Sequence, residues 1–215
     1  MAIRDRYLAG LARQLGKPEG WRGKVVARLL NRRNLASVTA AVDACDLEAG
    51  GRGADLGFGG GVGIGLLLDR VGATGHVDGV DLSPTMVDAA RRRYREPCTA
   101  GQLTLHTGTL LALPLTSASL DALISVNTIY FVDDLERVLA EISRVLRPTG
   151  RAVLGLVDPD AMAGLPFTAH GFRVRPVNDV VEAARQAGLE FVRHERVGAG
   201  DDAYHLLVMA RCGEA

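Results

Sequence analysis

Hydrophobic residues follow two different repeats along the chain, and the change from one to the other falls near residue 50. Before that point, apolar residues such as Val25 and Leu29 recur at helical spacing, with a break predicted over residues 16–20. Beyond it, short apolar runs typical of strands alternate with longer stretches typical of helices. We therefore predict a helical cover over residues 1–50 and a larger domain over residues 51–215.

The larger domain contains seven strand-like runs and four amphipathic helices. The predicted strands cover residues 54–56, 76–81, 103–106, 120–126, 151–157, 190–197 and 204–210. The predicted helices cover residues 62–71, 83–94, 134–146 and 178–188, with Ser83 and Asn178 as N-caps and Gly188 as a C-terminal glycine. Strands that alternate with helices indicate an α/β fold with a parallel sheet. Because only residues 198–202 separate the last two strands, the final strand is predicted to be antiparallel.

Composition and charge narrow the possible classes. With 215 residues, 47% of them hydrophobic and 23% charged, the chain is typical of a globular protein. Three cysteines without regular spacing indicate neither a disulfide framework nor a zinc site. The net charge of zero conceals a basic segment, because residues 1–36 carry nine Lys or Arg side chains against two acidic ones. This segment is either a solvated helical face or an arm that attracts an anionic partner such as RNA.

The sequence shows no membrane or export signal. No apolar run reaches the roughly 18 residues that a membrane span needs. The first six residues, Met1 to Arg6, lack the apolar region of a signal peptide. We expect no membrane partner and a cytoplasmic location.

Glycine-rich sequence follows the first predicted strand. Six of the 26 glycines lie between Gly57 and Gly65. Glycine permits positive φ and a close approach of ligand to backbone, and the carboxyl end of a strand is where open α/β sheets bind ligands. The dinucleotide fingerprint GxGxxG fails in every register, because Val62, Ile64 and Leu66 stand at the third glycine position. No Gly-Lys-Ser/Thr follows either, which excludes a phosphate-binding P-loop.

The glycine segment instead fits the pattern acidic-x-Gly-x-Gly-x-Gly. It is formed by Asp55, Gly57, Gly59 and Gly61. Asp81 stands twenty residues past Gly61, at the end of the second predicted strand. A carboxylate at that position can accept hydrogen bonds from both hydroxyls of a ribose. The two features together predict a ligand that contains ribose.

Four segments, in the right order, resemble motifs of the class I S-adenosylmethionine-dependent methyltransferases. They read ADLGFGGG at residues 54–61, GVDLSPTM at 79–86, LPL at 113–115 leading to Ser119-Leu120-Asp121, and EISRVLRPTG at 141–150. The resemblance extends over roughly residues 50–212. It implies a Rossmann-like, doubly wound sheet of seven strands, mostly parallel with an antiparallel last strand, plus N-terminal helices. It also implies methyl transfer from S-adenosyl-L-methionine.

The resemblance also implies which residues bind the cofactor. Asp55 is expected near the amino group, Asp81 on the ribose hydroxyls, and Leu82 with Met86 against the adenine. Thr109 stands where many members have an acidic residue, which weakens the expected bond to the adenine amine. The full predicted set comprises Asp55, Gly57, Phe58, Gly59, Gly61, Asp81, Leu82, Met86, Thr109, Leu110 and Asn127.

Methyl transfer places few demands on catalytic side chains. A sulfonium is a good leaving group, so the enzyme mainly aligns the reactants, and a base is needed only for a nucleophile such as a hydroxyl. His170 and Asp158 are the candidates for such a base. No metal site is expected, because Asp158 and Asp160 lack a third ligand nearby. Tyr130, Asn34 and Trp21 are predicted to line the acceptor pocket.

The acceptor is predicted to be a small molecule, methylated on a hydroxyl. Residues 127–130 read Asn-Thr-Ile-Tyr, which differs from the Asn/Asp-Pro-Pro-Tyr motif of exocyclic-amine methyltransferases by both prolines. The chain also has no separate nucleic-acid module. RNA methylation through the basic segment is the alternative, a cofactor-binding protein without activity is another, and a homodimer is left open.

Overall fold

A computed structural model describes residues 5–6, 8–10, 12, 16, 34–198 and 203–212. Residue 16 and the described residues before it are helical, and a helix that includes residues 34–44 (α1) precedes the sheet. Trp21 and most of the basic segment lie outside the described residues, as do residues 17–20 of the predicted helix break, whereas Gly16 is helical. The division at residue 50 therefore stays a prediction.

Seven strands form one sheet. They are β1 (Arg52–Leu56), β2 (His76–Asp81), β3 (Leu103–Thr107), β4 (Leu120–Val126), β5 (Leu146–Val157), β6 (Leu189–Val197) and β7 (Tyr204–Arg211). The order across the sheet is β3-β2-β1-β4-β5-β7-β6. The pairs from β3 to β5 are parallel, whereas β7 is antiparallel to both β5 and β6. The predicted mostly parallel sheet with an antiparallel last strand is confirmed.

Helices cover both faces of the sheet. After α1 they are α2 (Val62–Val71), α3 (Pro84–Arg93), α4 (Arg95–Thr99), α5 (Leu135–Val145), α6 (Pro159–Ala163) and α7 (Val177–Gln186). One buried cluster joins α1, α2 and α3 to the sheet through residues such as Ala41, Leu67 and Met86. A second cluster joins α5 and α7 to the opposite face through residues such as Leu139 and Val180. The two clusters make the fold doubly wound.

Several helix and strand ends confirm local sequence signals and others correct them. The Ser83 side chain caps α3 by accepting the Met86 amide, and Gly188 follows α7 with a φ of 77°. Asn178, in contrast, is not the N-cap of α7. The helix begins at Val177, and Pro176 occupies the N-cap position with a φ that its ring fixes. The short helices α4 and α6 were not predicted, because a helix of five residues is too short to show an apolar repeat in the sequence.

Strand β5 begins at Leu146, five residues earlier than the predicted start at Arg151. Leu146 pairs with Leu120, and a register shift then brings Arg151 opposite Ala122. Pro148, which has no N–H to donate, lies in this irregular stretch and made the sequence resemble a loop.

The strand order brings most of the predicted cofactor residues together. From β1 the chain proceeds in one direction to β2 and β3, and β4 returns to the other side of β1. The reversal opens a crevice at the carboxyl ends of β1 and β4, which is where α/β sheets of this kind bind ligands. No helix among the described residues is long and apolar enough to cross a membrane.

Candidate active site

The turn from β1 into α2 has the backbone that its glycines predict. Gly57, Gly59 and Gly61 have φ values of 74°, 50° and 76°, in the left-handed region that other residues rarely adopt. The Gly61 amide donates to the Phe58 carbonyl at 2.8 Å, which closes the turn. We call residues 57–61 the glycine loop.

Asp81 holds the glycine loop from the neighbouring strand. Its Oδ2 accepts the Gly59 amide at 2.8 Å, and its Oδ1 accepts the Ser83 amide at 2.8 Å. Asp81 is buried, and burial raises the pKa of its carboxyl group above the usual range. Each carboxylate oxygen can accept a second hydrogen bond, so the residue retains capacity for a ligand hydroxyl.

Asp55 is packed against the start of α2. A Cβ built on Gly63 would lie 2.3 Å from the Asp55 Oδ2, so a side chain at that position would displace the carboxylate. Burial, and secondly the charge of Asp81, raise the pKa of Asp55 to about 8. A cationic ligand group would reverse this effect, since an opposite charge favours the ionised carboxylate.

The glycine loop borders a cavity of about 420 Å³, large enough for a drug-sized ligand. Predicted residues that line it are Asn34, Asp55, Gly57, Phe58, Gly59, Asp81, Leu82, Thr109, Leu110 and Asn127. A Cβ on Gly59 would meet only open space, and the Leu82 side chain is 50% exposed beside Asp81. An apolar surface next to two carboxylates and a bare backbone fits a nucleoside that carries an ammonium group.

Two of the predicted cofactor residues do not line the cavity. Met86 is fully buried in the core beneath α3. Gly61 faces Tyr94 instead, since a Cβ there would lie 3.3 Å from the Tyr94 ring. Both residues therefore pack behind the residues that line the cavity.

A chain of hydrogen bonds reaches the cavity from β7, and sequence reasoning missed its central member. The Tyr204 hydroxyl accepts the Asn127 Nδ2–H at 3.2 Å and donates to the Asn34 Oδ1 at 2.9 Å. The Asn127 Oδ1 is buried and has no hydrogen-bond partner among the described residues. Asn127 also has a φ of 60°, an uncommon value outside glycine. A donor on a bound ligand would satisfy this oxygen.

Tyr130 differs from its expected position in the acceptor pocket. Its hydroxyl accepts the Val157 amide at 2.6 Å, and burial raises the pKa of the phenol. The ring packs against Phe131 and Phe172, and the adjacent Phe131 lines the cavity in its place. The turn over residues 129–131 directs Phe131 inward, which a motif comparison alone does not reveal.

The two candidate bases also lie outside the residues that line the cavity. Asp158 caps α6, accepts the Asp160 and Ala161 amides, and contacts the His205 Nε2 at 3.0 Å. The bond to His205 and then the Ala161 amide lower the pKa of Asp158, which is unfavourable for a base. His170 lies in the turn after α6, with its amide bonded to Phe167. Neither residue is among those that line the cavity.

Other residues form the acceptor side of the cavity. Val38, Leu111, Phe131 and Val132 supply apolar surface, and Asp133 with Asp134 lies at the border. Arg175, which the sequence did not single out, donates to the carbonyls of Ile129 at 2.7 Å and Val132 at 2.6 Å. The Arg175 guanidinium thus holds the backbone on both sides of Phe131, which lines the cavity. No group of three or more metal-ligating side chains occurs within the described part of the chain.

The sequence and the fold both match known methyltransferases. Residues 54–154 match the family described as "Methyltransferase domain". A 37.1 kDa protein in transposon TN4556 of Streptomyces fradiae is 40% identical over 121 residues, which are 56% of this chain and 34% of that protein. The chain spans about a third of the length of the first curated relatives that it matches.

Two solved structures illustrate the similarity of fold. A methyltransferase in complex with the Haloferax volcanii activator Trm112 has a TM-score of 0.78 at 22% identity, covering 89% of this chain and 96% of that one. Geranyl diphosphate C-methyltransferase from Streptomyces coelicolor, solved with S-adenosyl-L-homocysteine, has a TM-score of 0.70 at 20% identity, covering 92% and 88%. Residues 54–154 are therefore similar to the methyltransferase domain, and the fold is that of the S-adenosylmethionine-dependent methyltransferases, whose cofactor is S-adenosyl-L-methionine.

Proposed function

We propose that this chain transfers a methyl group from S-adenosyl-L-methionine to the hydroxyl of a small, largely apolar molecule. The single observation that carries the proposal is the cavity. It joins the glycine loop, Asp55 and Asp81 to apolar surface formed by Phe131 and Val132. The first group suits the cofactor and the second suits an acceptor beside it.

The side chains on the cofactor side would bind and orient. Asp55 would pair with the ammonium group, and Asp81 would accept the ribose hydroxyls while holding Gly59. Leu82 and Leu110 would pack against the adenine. The cofactor supplies a methyl group on a cationic sulfur, which leaves without help from an acid. Alignment and exclusion of water can then contribute roughly 7–11 kcal/mol.

The acceptor side favours a hydroxyl of phenolic acidity. Among the described residues that line the cavity there is no histidine. Asp134 caps α5 through the Arg137 amide, and Asp133 is paired with Arg173. Because the described lining offers no histidine as a general base, we infer a nucleophile that ionises readily, as a phenol with a pKa of about 10 does. Phe131 and Val132 suit an aromatic ring.

Relatives do not decide the acceptor, because their names differ in this respect. They include an arsenite methyltransferase, a demethylmenaquinone methyltransferase and two O-methyltransferases. The proposal of a phenolic hydroxyl therefore depends on the cavity of this chain. We also propose that residues 1–50 cover the acceptor side, since Gly16 and Asn34 contribute to the cavity lining.

An acceptor screen tests the proposal. The purified protein is incubated with methyl-labelled S-adenosylmethionine and separate pools of phenols, aliphatic alcohols, carboxylic acids, amines and short RNAs. We expect label in the phenol pool and none with the Asp81→Ala variant. Transfer confined to amines or RNA would contradict the hydroxyl proposal, and binding without transfer to any pool would indicate a non-catalytic protein.

A further inference from the structure

Tyr94 is the residue that follows α3. It contacts the glycine loop but is not among the residues that line the cavity. Its hydroxyl donates to the Gly61 carbonyl at 2.7 Å. A Cβ on Gly61 would lie 3.3 Å from the ring, and a Cβ on Gly65 would lie 2.9 Å from the hydroxyl oxygen. These two glycines therefore provide the space that Tyr94 occupies. The sequence had suggested that their role was to admit the cofactor.

The bond is made where the glycine loop becomes α2. Gly61 is the N-cap of that helix, and its carbonyl is placed to accept the first intrahelical bond from Gly65. That intrahelical bond is long, with an N–O distance of 3.4 Å. No side chain of the loop caps the helix either. The shorter bond from Tyr94 thus holds a carbonyl that the helix itself holds weakly.

The glycine loop is consequently held from outside on more than one side, and the Gly57 amide also donates to the Val80 carbonyl at 2.7 Å. Asp81 holds the Gly59 amide from one side, and Tyr94 holds the Gly61 carbonyl from the other. Arg93 adds a longer contact, 3.4 Å from its Nη1 to the Gly60 carbonyl. A run of glycines has more conformational freedom to lose than any other sequence, so external supports decide how much of the loop is ordered before ligand arrives.

We propose that Tyr94 is a positioning residue for the cofactor: its hydroxyl holds Gly61 so that the glycine loop is preorganised to bind the ligand, without touching it. This inference depends on the cofactor site and is independent of the acceptor. Burial raises the pKa of Tyr94, so the hydroxyl keeps its proton and remains a donor across the neutral range.

The first test measures the affinity for S-adenosylhomocysteine by calorimetry. Tyr94→Phe removes the donor and keeps the ring, and we expect binding to weaken about tenfold, the loss expected for one hydrogen bond. Tyr130→Phe is the matched control, because it also removes a buried hydroxyl that is bonded to the backbone, away from the cavity lining. Its affinity should equal that of the wild type, whatever either substitution does to the melting temperature.

A double-mutant cycle separates positioning from general stability. Gly65→Ala favours the helix but brings a methyl group against the Tyr94 hydroxyl, with the ring carbons at an ordinary 3.6 and 3.7 Å. We expect Gly65→Ala to weaken S-adenosylhomocysteine binding in the wild type and to have little effect in the Tyr94→Phe background.

Equal effects of Gly65→Ala in both backgrounds would overturn the inference, as would Tyr94→Phe binding within twofold of the wild type. Absence of binding to the wild-type chain would overturn this inference together with the cofactor site. Normal binding without any methylated acceptor would contradict only the proposed activity.

Discussion

Asp55 and Asp81 lie at the ends of adjacent parallel strands, and the charge of Asp81 adds to burial in raising the pKa of Asp55 to about 8. The pair is therefore unfavourable when both carboxylates are ionised without a cation. The ammonium group of the cofactor relieves this cost when it binds, which links ligand binding to proton release.

Binding of S-adenosylhomocysteine should release protons near neutral pH. Asp55 is mostly protonated at pH 7 in the free chain and becomes ionised beside the ligand ammonium. We expect release of about one proton at pH 7 and affinity that increases by up to about tenfold per pH unit from pH 6 to 8. Calorimetry in buffers of different ionisation enthalpy measures this release. Asp55→Asn should bind weakly, with no release.

The same shift predicts how the stability of the free chain depends on pH. Because the folded pKa of Asp55 is raised, its contribution is fully present below the unfolded pKa and is lost as pH rises through about 8. Thermal unfolding should show the wild type losing more stability than Asp55→Asn between pH 5 and 8. Identical pH profiles would refute the link.

Gly57→Ala should destabilise the fold by about 2 kcal/mol or more. The position has a φ of 74°, and the new Cβ would lie 2.1 Å from the Thr128 Cγ2. Thr128→Ser removes that methyl group and keeps the hydroxyl that pairs with Ser125, so the double variant should recover part of the loss. Denaturant unfolding measures both changes. No recovery in the double variant would show that the strain is in the backbone alone.

Tyr204→Phe should lower the free energy of unfolding by about 1 kcal/mol for each of the two hydrogen bonds lost. It should also weaken S-adenosylhomocysteine binding several-fold, because the Asn127 amide is then no longer oriented. Asn34→Ala breaks the outer bond of the same chain. Combining the two substitutions should cost less than the sum of the single effects, and strict additivity would argue against a connected chain.

Asp158→Asn and His170→Ala should both retain cofactor binding and methyl transfer, since neither side chain lines the cavity.

The bond to His205 lowers the pKa of Asp158, so its contribution to stability is present at neutral pH and is lost as pH falls through its folded pKa. The stability difference between the wild type and Asp158→Asn should therefore shrink on acidification. A loss of turnover without loss of stability would restore Asp158 as a base.

Features within a few residues of one another were predictable from the sequence, and contacts between distant segments were not. Asp81 and Gly57 were identified because strand ends and turns impose local patterns. Tyr94 and Tyr204 were missed because their partners, Gly61 and Asn34, are 33 and 170 positions away. One signal was available for Tyr94: Gly65 stands inside a helix, where glycine is unfavourable unless something packs closely.

The most direct test of the whole account is the affinity for S-adenosylhomocysteine of the wild type, Asp81→Asn and Asp81→Ala, each confirmed as folded. We predict micromolar binding by the wild type and a loss of about a hundredfold or more in Asp81→Ala, since charge-assisted hydrogen bonds are worth roughly 1.5–3 kcal/mol each. Asp81→Asn, which keeps an acceptor for the Gly59 amide, should fall between them. No binding by the wild type, or equal affinity in all three chains, would contradict the account.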